Sequence, residues 1–80
     1  MKITKTACPI CGKENERIAY WDAGYLAEEH YHCDRCSYFR EMCYSPSLEG
    51  ICDDSKEEYI EKALKMGLTV YSREEVESMF

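Results

Sequence analysis

The sequence has no apolar run approaching the roughly 18 residues that a membrane-spanning helix needs. Its opening stretch, residues 1–12, lacks the apolar core and small-residue cleavage site of a secretory signal. It has no Gly-rich phosphate loop and no nucleophile motif. It contains no internal repeat longer than a Cys-x-x-Cys pair and no low-complexity segment. It is also short of positive charge, with 10 Lys/Arg against 16 Asp/Glu, a net charge of -6 and a pI near 4.8. Nucleic-acid binding usually draws on a basic surface that displaces counterions, so this composition disfavours it. These absences predict a cytoplasmic protein with no membrane association and no catalytic activity. In that compartment thiols stay reduced, and paired cysteines bind metal rather than one another.

What the sequence does have is cysteine, six in 80 residues. A chain of this length makes one small domain and lies near the limit at which apolar burial alone suffices. Small scaffolds commonly need a metal or disulfide staple. Composition divides the chain near residue 50. Residues 1–50 are rich in Cys and Tyr and carry a net -2, whereas residues 51–80 are rich in Glu and Lys and carry -4. The acidic tail reads as a solvated helix face.

Residues 16–21 and 25–32 read as strands joined by a three-residue loop, Asp22-Ala23-Gly24, with glycine in the left-handed position. Residues 37–44 have the aromatic content of a third strand. Residues 45–50 carry Pro46 and Gly50 and read as a loop. Ser55-Lys56-Glu57-Glu58 fits a capping box, followed by Tyr59, Ile60, Ala63 and Leu64 on one helix face. Gly67 marks the helix end. Residues 68–71 read as a short strand or link. Ser72-Arg73-Glu74-Glu75 repeats the capping box, with Val76, Met79 and Phe80 spaced as a second helix face. These apolar faces are expected to pack on the first part of the chain.

The cysteine pattern is the strongest signal. Cys8-Pro9-Ile10-Cys11-Gly12 is one pair and Cys33-Asp34-Arg35-Cys36 is another, with 21 residues between Cys11 and Cys33. Two residues between cysteines let a tight turn aim both sulfurs at one point, where turn amides hydrogen-bond the thiolates. A hairpin of the proposed length brings the two turns together. Four thiolates in a tetrahedron suit zinc and leave no open position for substrate.

On these residues, and on the hairpin and strand around them, the sequence resembles the zinc ribbon family over roughly residues 6–45. The resemblance implies a small α+β metal-bound domain: a three-stranded antiparallel zinc ribbon (1–50) with a C-terminal helical extension (51–80) packed on it. It implies one structural Zn2+ held by Cys8, Cys11, Cys33 and Cys36. Ser37 stands where such knuckles commonly have glycine. Rubredoxins share the four-cysteine logic but hold iron and carry CPxCG at the second pair, which "CDRCS" lacks. Transcription-elongation ribbons carry an adjacent Asp-Glu pair at the hairpin tip. Here the tip has only Asp22, so that catalytic role is not carried over.

Several residues lie outside this reading. Cys43 and Cys52 are expected to be unrelated free thiols, with a redox pair or a second metal role as alternatives. His30 and His32 share a strand face, and a competing site would use one of them with Cys33 and Cys36, although four cysteines already complete the tetrahedron. Tyr20, Trp21, Tyr25, Tyr38 and Phe39 are candidate interaction residues. Tyr20 and Trp21 are adjacent, so a strand sends them to opposite faces. The rings either pack against the tail helices, anchor a protein interface or stack on single-stranded bases.

The expected function is a small zinc-stabilised adaptor or regulatory protein that binds another protein. The alternative is a nucleic-acid-binding ribbon associated with transcription or translation, using Lys2, Lys5, Lys13, Arg17, Arg35 and Arg40 as a local patch. Thiol redox chemistry at a Cys-x-x-Cys is a third reading, but the thioredoxin-like βαβ context is missing.

Overall fold

A sheet of six strands organises the chain in a computed structural model that describes residues 1–44 and 46–79. The elements run β1 (Lys2–Ala7), β2 (Glu14–Asp22), β3 (Tyr25–His32), β4 (Tyr38–Cys43), β5 (Leu48–Cys52), α1 (Glu57–Lys65), β6 (Thr69–Tyr71) and α2 (Arg73–Met79). Strand order in the sheet follows chain order. The first four pairings are antiparallel, and β5 pairs β6 in parallel. A parallel pair needs a crossover, and α1 provides it. The expected three-stranded antiparallel ribbon with a helical extension is therefore corrected to a mixed six-stranded sheet with two short helices. Residues 48–52 form one strand across the compositional break at residue 50, and β6 joins the same sheet.

The two strands that went unread have different physical reasons. β1 is exposed at all but one position, so it carries no apolar alternation to read. It forms by pairing along β2, from Lys2 opposite Ala19 to Ala7 opposite Glu14. β5 was hidden by Gly50, which signals a turn in isolation. In the fold Gly50 sits opposite Thr69 of β6, and a β-carbon there would lie 2.7 Å from the Thr69 carbonyl oxygen and also strike the Tyr71 ring. The glycine allows a close backbone approach rather than a turn.

The β2–β3 hairpin is also tighter than expected. Asp22 pairs with Tyr25, leaving a two-residue loop of Ala23 (φ 50°) and Gly24 (φ 85°). Positive φ at both positions matches the twist of the strands. The register shifts between Tyr20 and Trp21, so that Tyr20 lies opposite Glu28 and Trp21 opposite Leu26. The extra residue, Ala27, lies on β3, so the alternation of β2 is unbroken and Tyr20 and Trp21 point to opposite faces as expected.

The helices partly follow the sequence signals. Lys56, not Ser55, is the α1 N-cap, and its side chain makes no capping bond. Ser55 Oγ instead donates to the Cys36 carbonyl. The α1 end is as expected: Gly67 (φ 80°) donates to Leu64 O at 3.1 Å and Leu68 to Ala63 O at 2.9 Å, the paired bonds of a glycine-terminated helix. Ala63 is buried, while Leu64 faces solvent. The second capping box forms, with Glu75 N–H donating to Ser72 Oγ at 3.1 Å. No described residue of α2 is buried, and Val76 is half-buried. The expected apolar position Phe80 lies outside the described residues.

One core joins these parts. Cys8, Ile10, Tyr31, Cys33, Cys36, Tyr38, Ile51 and Ala63 form a buried cluster, against which Cys11, Tyr59, Leu68 and Val70 pack. Gly50→Ala should cost about 1–3 kcal/mol by overpacking the β5–β6 contact. Thermal unfolding should show this as a Tm lower by roughly 4–8 °C per kcal/mol. An unchanged Tm would contradict the close approach.

Candidate metal centre

Each Cys-x-x-Cys pair is a knuckle between two strands, and the two knuckles share one construction. Cys8 N–H donates to Lys13 O at 2.8 Å, and Cys33 N–H donates to Tyr38 O at 2.8 Å. In each case the residue after the second cysteine is left-handed, Gly12 at φ 80° and Ser37 at φ 63°. The missing second glycine therefore changes the residue without changing the turn. The first knuckle also places Ile10 N–H 3.4 Å from Cys8 Sγ.

The knuckles converge. Cys8 Sγ lies 3.4 Å from Cys36 Sγ, and Cys11 Sγ lies 3.4 Å from Cys33 Sγ. All four sulfurs lie within 4.8 Å of one another. A disulfide needs about 2.05 Å, and all six cysteines are free. Tetrahedral ligands about 2.3 Å from one ion stand a little under 4 Å apart, which this cluster approaches. Cys8, Cys33 and Cys36 are buried and Cys11 is half-buried. The four cysteines sit together as a zinc-binding site would have them, and they could hold a metal ion.

Electrostatics in the cluster favour a cation. Burial pushes the Cys8 thiol up and pushes Cys36 up strongly. At Cys33 burial acts in the same direction, but hydrogen bonds from the Cys36 and Arg35 amides and from the Cys11 thiol outweigh it, drawing the group down to about 7. One sulfur is thus prepared for the thiolate form while its neighbours resist it. A bound metal removes that conflict, because a coordinated thiol is deprotonated outright.

Supporting contacts come from three elements. Lys13 on the first knuckle pairs with Asp34 on the second, and this bond holds the Asp34 carboxyl below its ordinary value. Ser55 bonds the Cys36 carbonyl, and Cys52 N–H reaches Ser37 O at 3.4 Å. Tyr31 OH donates to Thr6 O at 2.8 Å and so links β3 to the strand entering the first knuckle.

The remaining candidates separate. His30 and His32 stand outside the sulfur cluster, and both contact Glu41. Cys43 is exposed and donates to Glu28 Oε1 at 3.3 Å, a bond that raises its thiol pKa. Cys52 is buried, with Sγ 3.8 Å from Asp53 Oδ1. The β4–β5 register puts Cys52 beside the position opposite Ser37, six residues from Cys43, or about 20 Å along the strand. A disulfide between them is excluded. Tyr20, Trp21 and Tyr25 are exposed, at 37%, 58% and 53%. Tyr38 and Phe39 are buried core residues and leave the set of surface candidates. Tyr38 packs edge-on to Tyr31, and Phe39 packs against Tyr71.

Sequence reasoning missed Met1 and Ile3, which are exposed beside Tyr20 and became visible only once β1 was placed. It also missed Glu41, whose register opposite His30 is a tertiary fact.

The fold and site define a small β-rich protein built around a four-thiol cluster. No family model, curated protein or solved structure matches the chain. Among the described residues no helix is long and apolar enough to cross a membrane.

Ser37→Gly tests the knuckle equivalence, because a left-handed conformation costs an L-residue about 1–2 kcal/mol. The entropy of a freer unfolded chain offsets part of the gain. The variant should keep its metal stoichiometry and melt a few degrees higher. Gly12→Ala should melt lower, since nothing lies within 4 Å of the added carbon and only the backbone resists it.

Proposed function

We propose that this protein is a zinc-stabilised adaptor that binds another protein through the open surface around β1 and β2. The observation that carries the reading is a group of exposed apolar residues on the paired strands β1 and β2. Met1, Ile3, Tyr20 and Trp21 are exposed at 76%, 51%, 37% and 58%. Ile3 lies opposite Ile18, and Tyr20 follows Ile18 by two residues on the same face. Tyr20 OH reaches Met1 Sδ at 3.2 Å. Trp21 follows Tyr20 on β2 and adds an exposed ring on the other face of the strand. Trp and Tyr are the residues that most often anchor protein interfaces.

Strand β1 adds a second element. It is the edge of the sheet, so one row of its backbone groups is unpaired within the sheet. Such an edge accepts an extended segment as a further strand. Lys2 on this strand stands out from a chain of net charge -6 and favours an acidic segment.

Zinc is the metal this reading assigns to Cys8, Cys11, Cys33 and Cys36. An all-sulfur, closed set suits a redox-inert ion with tetrahedral preference. Such a site contributes folding free energy of about 10–16 kcal/mol in peptides, comparable with a whole domain's stability. Its coordination leaves no position for substrate, so binding, not catalysis, is the role assigned.

The nucleic-acid reading is weaker. Four members of the proposed basic patch are engaged with carboxylates: Lys5 with Glu16, Lys13 with Asp34, and Arg17 and Arg40 with Glu29.

Affinity capture from native cells should return a reproducible protein partner. Trp21→Ala should weaken that complex by about 2 kcal/mol, roughly thirtyfold, with an unchanged Tm. Capture that returns no protein, alongside low-salt binding of single-stranded RNA or DNA, would replace the adaptor reading with the nucleic-acid one.

A further inference from the structure

We infer that His30, His32 and Glu41 form a second metal site, open and exchangeable, for a divalent transition ion. It is separate from the thiol cluster. Strand alternation puts His30 and His32 on one face of β3, and the register puts Glu41 of β4 directly opposite His30. The two imidazoles contact different oxygens of this one carboxylate: His30 Nδ1 meets Oε2 and His32 Nε2 meets Oε1. The two imidazoles thus share one carboxylate, each on its own oxygen, but the three ligand atoms do not all lie within 4.8 Å of one another, so the site is not preformed.

The surroundings have the features of a ligand set. The other ring nitrogen of His30, Nε2, lies 4.0 Å from Glu28 Oε1. A metal-bound histidine commonly directs its second nitrogen at such a carboxylate, which fixes the tautomer and makes the ligand more basic. Each ring is also flanked by an aromatic side chain. Tyr20 meets His30 edge-on with centroids 6.2 Å apart, and Phe39 lies 6.5 Å from His32. His30 and His32 line a surface concavity of about 480 Å3, giving the site contact with solvent.

The chemistry indicates the class of ion. Imidazole with carboxylate suits Zn2+, Ni2+ or Cu2+, whereas the all-oxygen shells of Mg2+ and Ca2+ do not match. Binding requires the side chains to rotate until both ring nitrogens and a Glu41 oxygen lie about 2.0–2.2 Å from one ion. The ion then replaces the hydrogen bonds that now join the three groups. Three protein ligands leave at least one position for water or an outside group, in contrast with the closed four-sulfur set.

The test uses the full chain already holding one equivalent of zinc at its thiols, titrated separately with Zn2+ and with Ni2+. A second equivalent should bind, and the imidazole 15N resonances of His30 and His32 should shift in step with it. Changing both residues, His30→Gln with His32→Gln, should weaken this second equivalent a hundredfold or more. Glu28→Gln should weaken it about tenfold, as expected for a supporting carboxylate. A stoichiometry that stays at one overturns the proposal, and so does a second equivalent that leaves both imidazoles unshifted. If the double variant does not fold, the resonances of the unaltered chain decide the matter.

Discussion

Four sulfurs must meet at one point in a chain that has little else to bury. The core cluster around them contains only two aliphatic side chains larger than alanine, Ile10 and Ile51. Three of its members are thiols that become ligands only as anions. Neighbouring thiolates repel, and burial raises the cost of each charge. The knuckle amides ease this at Cys33, yet Cys8 and Cys36 remain displaced towards the neutral form. A dication at the centre would turn the repulsion into attraction. The cluster touches most of the chain, because β1 and β2 flank the first knuckle, β3 and β4 flank the second, and Ser55 ties the segment before α1 to Cys36.

Distance from this centre divides the molecule. Its longest extent is 40 Å, and the β2–β3 turn closes the hairpin at the opposite end of those strands from the knuckles. Midway along them, a different arrangement holds the register. Glu29 is buried at 3% exposure, with Arg17 Nε at 3.0 Å from β2 and Arg40 Nε at 2.8 Å from β4. Desolvating a carboxylate offsets much of the gain from its partners, so this triad is a poor source of net stability. It is a strong selector of alignment. A one-residue slip of β3 would turn Glu29 to the other face and strand both arginines. The Tyr20–Trp21 irregularity therefore lies beyond a point where the register is already set.

The features legible in the sequence were those encoded within a few residues. Both knuckles follow from Cys-x-x-Cys spacing, and Gly67 and the Ser72–Glu75 box ended and began helices as local rules predict. What stayed hidden depended on a distant partner. Ser55 has the right spacing for a cap, but its hydroxyl reaches Cys36, 19 residues away. Gly50 carries a turn residue's identity for the sake of β6. β1 has no periodicity because little of it is buried, and its pairing is decided by β2. Tyr38 and Phe39 could not be distinguished from Tyr20 and Trp21 by composition. Their burial depends on Tyr31 and Tyr71, which the fold brings against them. The thiol centre was therefore readable residue by residue, whereas the six-stranded sheet was not.

The sheet's two faces carry different chemistry, and the alternation of β3 explains how. Its odd positions, Ala27, Glu29 and Tyr31, are buried, whereas its even positions, Leu26, Glu28, His30 and His32, keep access to solvent. The buried face belongs with the Tyr31–Tyr38–Ile51 packing that supports the sulfurs. The accessible face is continuous with Tyr20, Ile18 and Ile3 through the β1–β2–β3 register. A change at an odd position acts on the core first. The imidazoles of His30 and His32 belong to the accessible face even though His32 adjoins the buried thiol of Cys33 in sequence.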